Sequence, residues 1–408
     1  MIEKIEIKNF KSILNDNISL GRLNVFIGEN GVGKSNILEA LLFASIANTY
    51  ETIDADLLYN NGFRVCKPSL LLSSFKGKTQ SSSIDINIGT KAGRIDSSIS
   101  PEDVDSITSK WKKDVILGDS IDEEVKNIVN LSEMGLKKQI EHLAENEKFE
   151  LLEKHIKKIA IIRNLIKKQL VELRGVEHID KRFKDLSNYI IYTLNTEALR
   201  GIPEFQKSRK GIYGENLDLI INELNKEELA ELKEYIYSVS WLSDFFIDED
   251  DSLKKEGYKL NYSKSLLYFR DKYMQKKNNL FSSENSNEGI LHVLFYLSTI
   301  ISSKTPKLFA VDNIETSLNP HLCRHLMTKI SELVKKHDKQ MLITTHNPAI
   351  LDGLNLFDDD IRLFEVYRTD LGDTKTRRIT LNEKMKNKGY KLSELWTNGK
   401  LGAISNNF

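Results

Sequence analysis

The stretch Gly28-Glu29-Asn30-Gly31-Val32-Gly33-Lys34-Ser35 matches G-x-x-x-x-G-K-[ST] at every fixed position. An apolar run, Leu23 to Ile27, precedes it, and a helical pattern, Asn36 to Leu42, follows it. A strand, a glycine turn and a helix in this order are the setting of a phosphate-binding loop, or P-loop. The glycines let backbone N–H groups turn toward a phosphate, and Lys34 brings a positive charge there. Ser35 is expected to bind Mg²⁺. The stretch therefore predicts a nucleotide-phosphate site.

The composition of the chain indicates an ordinary soluble protein. Its 408 residues are enough for two or three domains, and 59 basic residues balance 59 acidic ones, so no global charge favours nucleic acid. Two cysteines give no disulfide framework. The start of the chain has no signal-peptide pattern, and the longest apolar segment, Gly289 to Ile301, is too short to span a bilayer. We therefore expect a cytoplasmic protein without a membrane partner.

The pattern of apolar residues divides the chain into three parts. Residues 1–105 form an α/β part that contains the P-loop, and residues 187–408 form a second α/β part. Residues 106–186 lack proline and are rich in Lys, Glu, Leu and Ile, so we expect a helical insertion. Its helices, Asp122 to Ala144 and Leu152 to Leu173, are predicted to pair as a short hairpin.

Further elements follow from periodicity and turn residues. Strands are predicted within residues 1–27 and at Leu70 to Ser74, Ser83 to Ile88 and Tyr189 to Leu194. Helices are predicted at Leu217 to Leu224, Glu227 to Trp241 and Ser263 to Lys277. A β-hairpin from Arg362 to Leu381 and a short terminal helix complete the chain.

Three residues outside the P-loop are candidates for its metal and phosphate chemistry. Asp312 ends the apolar strand that begins at Leu308, where a carboxylate opposite a P-loop can hold Mg²⁺. His346 leaves a second apolar strand, where it can contact the γ-phosphate or the attacking water, or can be merely structural. Gln80 lies in a polar loop 46 residues after Lys34, either as a sensor of γ-phosphate and metal or as an ordinary loop residue.

A second polar turn precedes Asp312 in the chain. Asn287, Glu288 and Gly289 open an apolar helix, and such a turn at a helix N-terminus can bind an anion. One phosphate does not need two loops of the same subunit. We therefore expect Asn287 and Gly289 to reach the nucleotide of a second subunit.

The order of P-loop, helical insertion, Asn-Glu-Gly helix, Asp strand and His strand resembles ABC-type ATPase heads. The branch that it resembles includes SMC, RecF and the OLD-like ATPases. The segments that carry this likeness are Met1 to Ala40, Asp312 to Pro320 and Thr344 to Asp352. The ending Leu392-Ser393-Glu394-Leu395-Trp396, with Gly399 and Gly402, is similar to stand-alone AAA-type ATPases of bacterial anti-phage operons.

The resemblance implies an α/β P-loop NTPase head, a mixed sheet with flanking helices, interrupted by the short helical hairpin. It also implies that ATP and Mg²⁺ bind and that two subunits enclose two ATP molecules. Asn287 and Gly289 would then occupy the signature positions, and Ser317 to Asn319 the loop that communicates across the dimer.

The sequence departs from this family at two positions. The family usually has Glu directly after the Asp, whereas this chain has Asn313, whose amide can hold a water molecule but cannot take its proton. Glu315 is the available carboxylate. Asn287 stands where the family more often has Ser. We therefore expect slow hydrolysis and a long-lived ATP-bound clamp.

Two functions remain open at this point. The first is an ATP-dependent homodimer, or a higher oligomer, that acts as sensor or scaffold for a separately encoded effector in anti-phage defence. The second is a DNA-binding ATPase of repair or maintenance, in the manner of RecF. OLD-like nucleases carry a Toprim domain, but the acidic cluster Asp358-Asp359-Asp360 is a poor metal site, so we expect no nuclease in this chain.

Overall fold

The computed structural model describes residues 1–91, 93–118, 183–203, 210–237, 239–260, 262–381 and 391–399. The strands of the described residues are β1 Ile2–Phe10, β2 Ile13–Ser19, β3 Leu23–Ile27, β4 Ile84–Thr90, β5 Gly93–Pro101, β6 Trp111–Gly118, β7 Ile190–Tyr192, β8 Leu242–Ile247, β9 Leu267–Asp271, β10 Leu280–Ser282, β11 Leu308–Val311, β12 Gln340–Thr345, β13 Ile361–Arg368 and β14 Thr374–Ile379.

The helices of the same residues are α1 Lys34–Thr49, α2 Ala55–Asn60, α3 Pro68–Leu71, α4 Lys184–Ser187, α5 Thr196–Leu199, α6 Leu217–Asn222, α7 Lys226–Ile236, α8 Ser252–Lys255, α9 Glu288–Ile301, α10 Pro320–Lys336 and α11 Leu392–Thr397. Two 3₁₀ helices, Ser283–Asn285 and Pro348–Gly353, lie between them. None of the helices described here has the length and apolar character needed to cross a bilayer.

A six-stranded mixed sheet forms the centre of the protein. Its strand order is β14-β13-β3-β12-β11-β7, and all pairs are parallel except β13 with β14. Every residue of β3, β11 and β12 is buried, which is typical of parallel strands covered on both faces. The carboxyl ends of these three strands meet at one edge of the sheet. The residues that follow them therefore come together there.

Helix α1 lies between this sheet and a second, antiparallel one. The second sheet has the order β2-β1-β4-β5-β6, and Ile5 and Ile7 of β1 face inward with the period of a half-buried strand. Phe10, three residues after Ile7, is also buried, because the chain at Asn9 has φ +60° and the alternation breaks there. One core cluster joins these residues to α1 and to Phe26 of the central sheet. Because both sides of α1 are covered, its apolar residues extend around most of the helix.

Helices α9 and α10 cover the opposite face of the central sheet. Residues 289–301 of α9 are all buried, and α10 has one buried face that includes Leu326, Ile330 and Leu333. These residues share a second core with Val25 and Ile343 of the sheet. A small sheet of order β10-β9-β8 packs against this core through Phe245 and Phe269, among other residues.

The fold class predicted from the sequence is confirmed, and most of the predicted elements are present. The strands within residues 1–27, the helix after the P-loop, the Asp and His strands and the hairpin of β13 and β14 occur as expected.

Two predicted elements are wrong. Leu70 to Ser74 is not a strand, because Pro68 begins the short helix α3 and only Leu72 forms an isolated bridge to Phe10. Ser263 to Lys277 is not a helix, because its apolar residues form strand β9 and pair with β8 and β10. Leu267, Tyr268 and Phe269 are consecutive and all buried, so tertiary pairing overrides the apparent helical period.

The predicted insertion at 106–186 needs one correction. Residues 111–118 form β6, which pairs with β5 along its length, so they belong to the antiparallel sheet. Near the other end, α4 packs on α1, and the hydroxyl of Ser45 donates to the carbonyl of Leu186 at 2.6 Å. The two predicted helices, Asp122 to Ala144 and Leu152 to Leu173, lie outside the described residues. Apart from residues 111–118, the division into 1–105, 106–186 and 187–408 stays a prediction.

Candidate nucleotide site

The P-loop connects β3 to α1 through residues 28–33, and two of its glycines are packed too closely to carry a side chain. A Cβ atom on Gly28 would lie 2.2 Å from the carbonyl oxygen of Val366. Gly33 has φ +108°, and a Cβ atom there would lie 2.4 Å from Oγ1 of Thr374 and 2.8 Å from Oγ of Ser12. Glycine is therefore required at both positions by the neighbouring strand and turn.

Lys34 begins α1, and its ammonium group lies within the loop. Nζ donates to the carbonyl oxygens of Gly28 and Glu29, each at 2.8 Å. Burial lowers the pKa of Lys34, and the carboxylates of Glu315 and Asp312 oppose that shift. The site thus holds one buried cation facing two carboxylates, as charged phosphate chemistry requires.

Ser35 and Asp312 meet although 277 residues separate them in the chain. The hydroxyl of Ser35 donates to Asp312 Oδ2 at 2.8 Å and lies 3.0 Å from Oδ1. Thr344, in β12, also donates its hydroxyl to Asp312 Oδ1. A hydroxyl and a carboxylate at a strand end are hard oxygen ligands of the kind that Mg²⁺ takes. This donor set therefore fits Mg²⁺ beside a nucleotide.

The chain turns sharply after Asp312. Asn313 has φ +56°, in the left-handed region that Asn tolerates better than most residues. Its backbone N–H donates to Oγ1 of Thr344 at 2.8 Å, and its carbonyl accepts from the hydroxyl of Thr316 at 2.8 Å. This turn brings Glu315 back under the end of the His strand.

Glu315 and His346 form a pair at the same edge of the sheet. Oε1 of Glu315 lies 2.8 Å from Nδ1 of His346 and accepts the backbone N–H of His346 at 3.0 Å. The other oxygen, Oε2, is buried and has no hydrogen-bond partner among the described residues. His346 is 52% exposed, so its ring borders open space. The pair thus offers one free carboxylate oxygen and one accessible imidazole beside the Ser35–Asp312 contact.

Asn287 and Gly289 lie at the start of α9. Asn287 is exposed, and its side-chain oxygen caps the helix by accepting the N–H of Gly289 at 2.9 Å. Between them, Glu288 accepts the hydroxyl of Ser317 at 3.0 Å, so this turn packs against the loop after Asp312. Within the described residues, no hydrogen bond joins Asn287 or Gly289 to the P-loop.

Gln80 is exposed in the loop before β4. Its side-chain amide donates to the carbonyl of Ser69 at 2.7 Å. In the part of the chain that the structure describes, it forms no hydrogen bond with Ser35 or Asp312. Its role as a sensor of the metal stays a prediction.

The hairpin of β13 and β14 donates hydrogen bonds to the P-loop, and the sequence did not indicate this contact. The hydroxyl of Thr374 donates to the carbonyl of Val32 at 2.6 Å. Arg368 donates to the carbonyl of Gly31 at 3.1 Å through Nη2. More than 330 residues separate the partners of each contact, so no local motif could have predicted these contacts.

A second cation, Arg64, lies beside the P-loop and was not predicted from the sequence. Arg64 is exposed and donates to the side chain of Asn36 at 3.2 Å and to Glu39 at 2.6 Å. Burial disfavours a charged Glu39, yet the hydrogen bond from Arg64 and the charge of Lys11 hold the pKa of Glu39 below its usual value. Both partners of Arg64 lie in the first two turns of α1, so its charge is held near the phosphate loop.

Comparison with known proteins agrees with this geometry. Residues 1–351 match the sequence family described as AAA ATPase domain. The DNA replication and repair protein RecF of Clostridium novyi (strain NT) is 26% identical over 398 residues, which cover 90% of this chain and 98% of the relative. RecF of Streptococcus equi subsp. zooepidemicus (strain H70) is 24% identical over 368 residues, covering 85% and 90%.

A solved structure shows the same fold. It is the SmcHead bound to the C-winged helix domain of ScpA, with a TM-score of 0.50 and 14% identity over 94% of this chain and 99% of that one. The family match covers most of the chain and includes the P-loop, Asp312 and His346. The chain therefore belongs to the AAA ATPase domain family and has the fold of an SMC head.

Proposed function

We propose that residues 28–35 hold the phosphates of ATP and that Ser35 and Asp312 hold its Mg²⁺. The observation that carries this proposal is the contact between Ser35 Oγ and the Asp312 carboxylate, at 2.8 Å across 277 residues of sequence. Mg²⁺ would neutralise phosphate charge there. Lys34 supplies a further positive charge, and the backbone N–H groups at the start of α1 face the same space.

The proposed site is tested by measuring ATP binding calorimetrically in the presence of Mg²⁺. Lys34→Ala and Ser35→Ala should each weaken binding at least tenfold, because each removes a direct ligand of the phosphates or the metal. Gln80→Ala serves as the comparison, since its side chain bonds to Ser69 in the structure. Equal affinity in Ser35→Ala and the wild type would exclude the proposed metal site. A loss in Gln80→Ala would support its role as a sensor.

The second step of the proposal is an ATP-held homodimer. Asn287 is exposed at the N-terminus of α9 and has no hydrogen bond to the P-loop of its own chain within the described residues. Asn287 is therefore available to the ATP of a second copy, whereas Gly289 is buried directly beneath this cap and supports it. ATP then becomes part of the interface, and the dimer persists as long as the nucleotide does.

The third step is slow hydrolysis. Asn313 follows Asp312 where a carboxylate would take a proton from water, and an amide cannot do this. Glu315 is the group that can substitute, because its Oε2 has no partner among the described residues and its Oε1 is fixed by His346. Glu315 then takes the role of the missing carboxylate two residues further along the chain, and turnover is slow rather than absent.

The biological role that we prefer is a sensor or scaffold for a separately encoded effector in anti-phage defence. Support for the defence setting is the sequence of the C-terminal helix, Leu392 to Trp396, which resembles stand-alone ATPases of anti-phage operons. A long-lived ATP dimer suits such a role, since it offers the effector a surface that exists only in one nucleotide state.

A second candidate is an ATP-dependent DNA-binding protein of repair or maintenance. The observation that favours it is the similarity to RecF, which extends over 85% to 90% of this chain in two relatives. ATP-dependent binding of DNA with a steep salt dependence would support this candidate. Capture of one effector from the native host, only by the ATP-bound form and without DNA, would support the first.

A further inference from the structure

The turn between β9 and β10 forms an exposed tip at residues 272–278. Every residue of this tip is exposed, in contrast to the buried residues 267–269 at the start of β9. The tip therefore extends from the small sheet into solvent, on the segment that leads directly into the 3₁₀ turn and α9.

The tip carries a local excess of positive charge on a chain that is neutral overall. Lys272, Lys276 and Lys277 lie within six residues, and the tip itself has no acidic residue. In the described part of the chain, none of the three ammonium groups has a carboxylate within ion-pair distance. Their charges are thus available to an anionic partner.

Two large apolar side chains lie among these lysines. Tyr273 is 75% exposed and Met274 is 51% exposed. Nζ of Lys272 lies 5.2 Å from the centroid of the Tyr273 ring, so a cation and an aromatic face share one surface. Lysines next to an accessible aromatic ring are the combination with which proteins hold the backbone and the bases of nucleic acid.

Backbone hydrogen bonds fix the shape of the tip. Asp271 N–H donates to the carbonyl of Asn279 at 2.9 Å, and Asn278 N–H donates to that of Gln275 at 2.7 Å. The side chain of Asp271 also accepts the N–H of Tyr273 at 2.7 Å. Because the backbone is already ordered, a partner would need to order only side chains.

We propose that the tip at residues 272–278 contacts a single strand of nucleic acid, with the lysines on its phosphates and the ring of Tyr273 stacked on one base. The inference rests on the second candidate function and deepens it, because it assigns the surface that meets DNA. It does not require the ATP-held dimer, since each chain carries its own tip.

A second hairpin of the same chain provides an internal control. The turn between β13 and β14 exposes Leu371, which is 70% exposed, next to Asp370. That tip is apolar but acidic, so it should repel phosphates. Exposed apolar area is therefore common to both tips, and only the tip at residues 272–278 adds lysines and an aromatic ring.

The experiment is fluorescence anisotropy with a labelled oligo-dT of about 20 nucleotides, at several salt concentrations, with and without ATP. Tyr273→Ala should weaken binding about tenfold, the size expected for losing one stacked base, whereas Tyr273→Phe should bind like the wild type. Lys276→Gln with Lys277→Gln should reduce the salt slope by about 1.4. Leu371→Ala, at the control tip, should leave binding unchanged.

Three results would overturn the proposal, and they differ in meaning. If the wild type binds oligo-dT and Tyr273→Ala binds equally well, the tip is not the contact, although DNA binding stands. If the wild type binds neither oligo-dT nor a labelled duplex of the same length at about 50 mM salt in any nucleotide state, the second candidate function fails as well. If Tyr273→Ala weakens binding but poly-glutamate competes as well as unlabelled oligo-dT, the tip is a contact for an acidic protein instead.

Discussion

Replacing Asn313 by Glu should convert a slow ATPase into a faster one. Asn313 follows Asp312 at the end of β11, and its amide cannot accept the proton of the attacking water. Glutamate at this position supplies the missing acceptor. A positioned general base typically contributes 10²- to 10⁴-fold to a rate.

The backbone of Asn313 lowers the expected gain. Its φ of +56° suits Asn, whereas Glu in the left-handed region costs about 1 kcal/mol. Its N–H donates to Thr344 Oγ1, in the turn that leads to Glu315. We therefore expect turnover to rise about a hundredfold, at the lower end of the range, and the free energy of unfolding to fall by about 1 kcal/mol.

Phosphate release under saturating ATP measures turnover, and urea unfolding measures stability. Asn313→Gln is the matched control, because it has the same size and the same backbone cost as Glu but accepts no proton. It should lose the same stability and gain no rate. If the Glu and Gln variants turn over ATP equally, the amide at position 313 is not what limits hydrolysis.

Three further changes test other parts of the account. Glu315→Gln keeps an acceptor for the N–H of His346 but removes the charge, so kcat should fall at least tenfold with ATP affinity nearly unchanged. If this variant turns over ATP as fast as the wild type, another group orients the water. Gly33→Ala should lower the free energy of unfolding by about 1–3 kcal/mol and abolish ATP binding. Gly31→Ala, whose Cβ meets open space, should lower the free energy of unfolding by about 1 kcal/mol. Similar losses of stability and of ATP binding in the two variants, measured by calorimetry, would refute the crowding at Gly33. Lys339 is buried, and burial lowers its pKa from 10.5 to about 8. Between pH 8 and pH 10.5 the unfolded chain therefore binds more protons than the folded one. The free energy of unfolding should rise with pH across this interval by up to about 3 kcal/mol. Subtracting the pH profile of Lys339→Met from that of the wild type isolates this rise, and a flat difference would contradict it.

The central sheet and the P-loop could be predicted because local sequence determines them. Glycines at 28, 31 and 33 and the Lys-Ser pair follow a mostly apolar strand, and Asp312 ends another. Parallel strands place their carboxyl ends together, so the meeting of Ser35 and Asp312 follows from topology alone.

The contacts that complete the site depend on tertiary structure. Glu315 meets His346 after a turn in which Asn313 adopts a left-handed conformation, and the sequence specifies neither the turn nor the contact. Arg368 reaches the P-loop through the register of β13 on β3. Both require knowing how distant strands align, and periodicity within one segment carries no such information.

The failed helix at Ser263 to Lys277 illustrates the same limit. Leu267 and Phe269 are two residues apart and lie in the core, while Tyr268 between them is buried against the other side of the small sheet. A strand buried on both faces lacks the alternation of apolar and polar residues that identifies a strand. Together with the lysines that follow it, such a segment has the apolar and polar pattern of an amphipathic helix.

The most direct test of the central claim, that ATP is part of a dimer interface, is the mass of the protein in solution with and without Mg-ATP. The wild type should shift from one chain to two when ATP is added, and Lys34→Ala should not. Asn287→Asp should fold and bind ATP, because Asp is an equally good helix cap, yet stay monomeric, because its charge repels the partner's phosphates. A wild type whose mass is unaffected by ATP, or an Asn287→Asp variant that dimerises as readily as the wild type, would contradict the account.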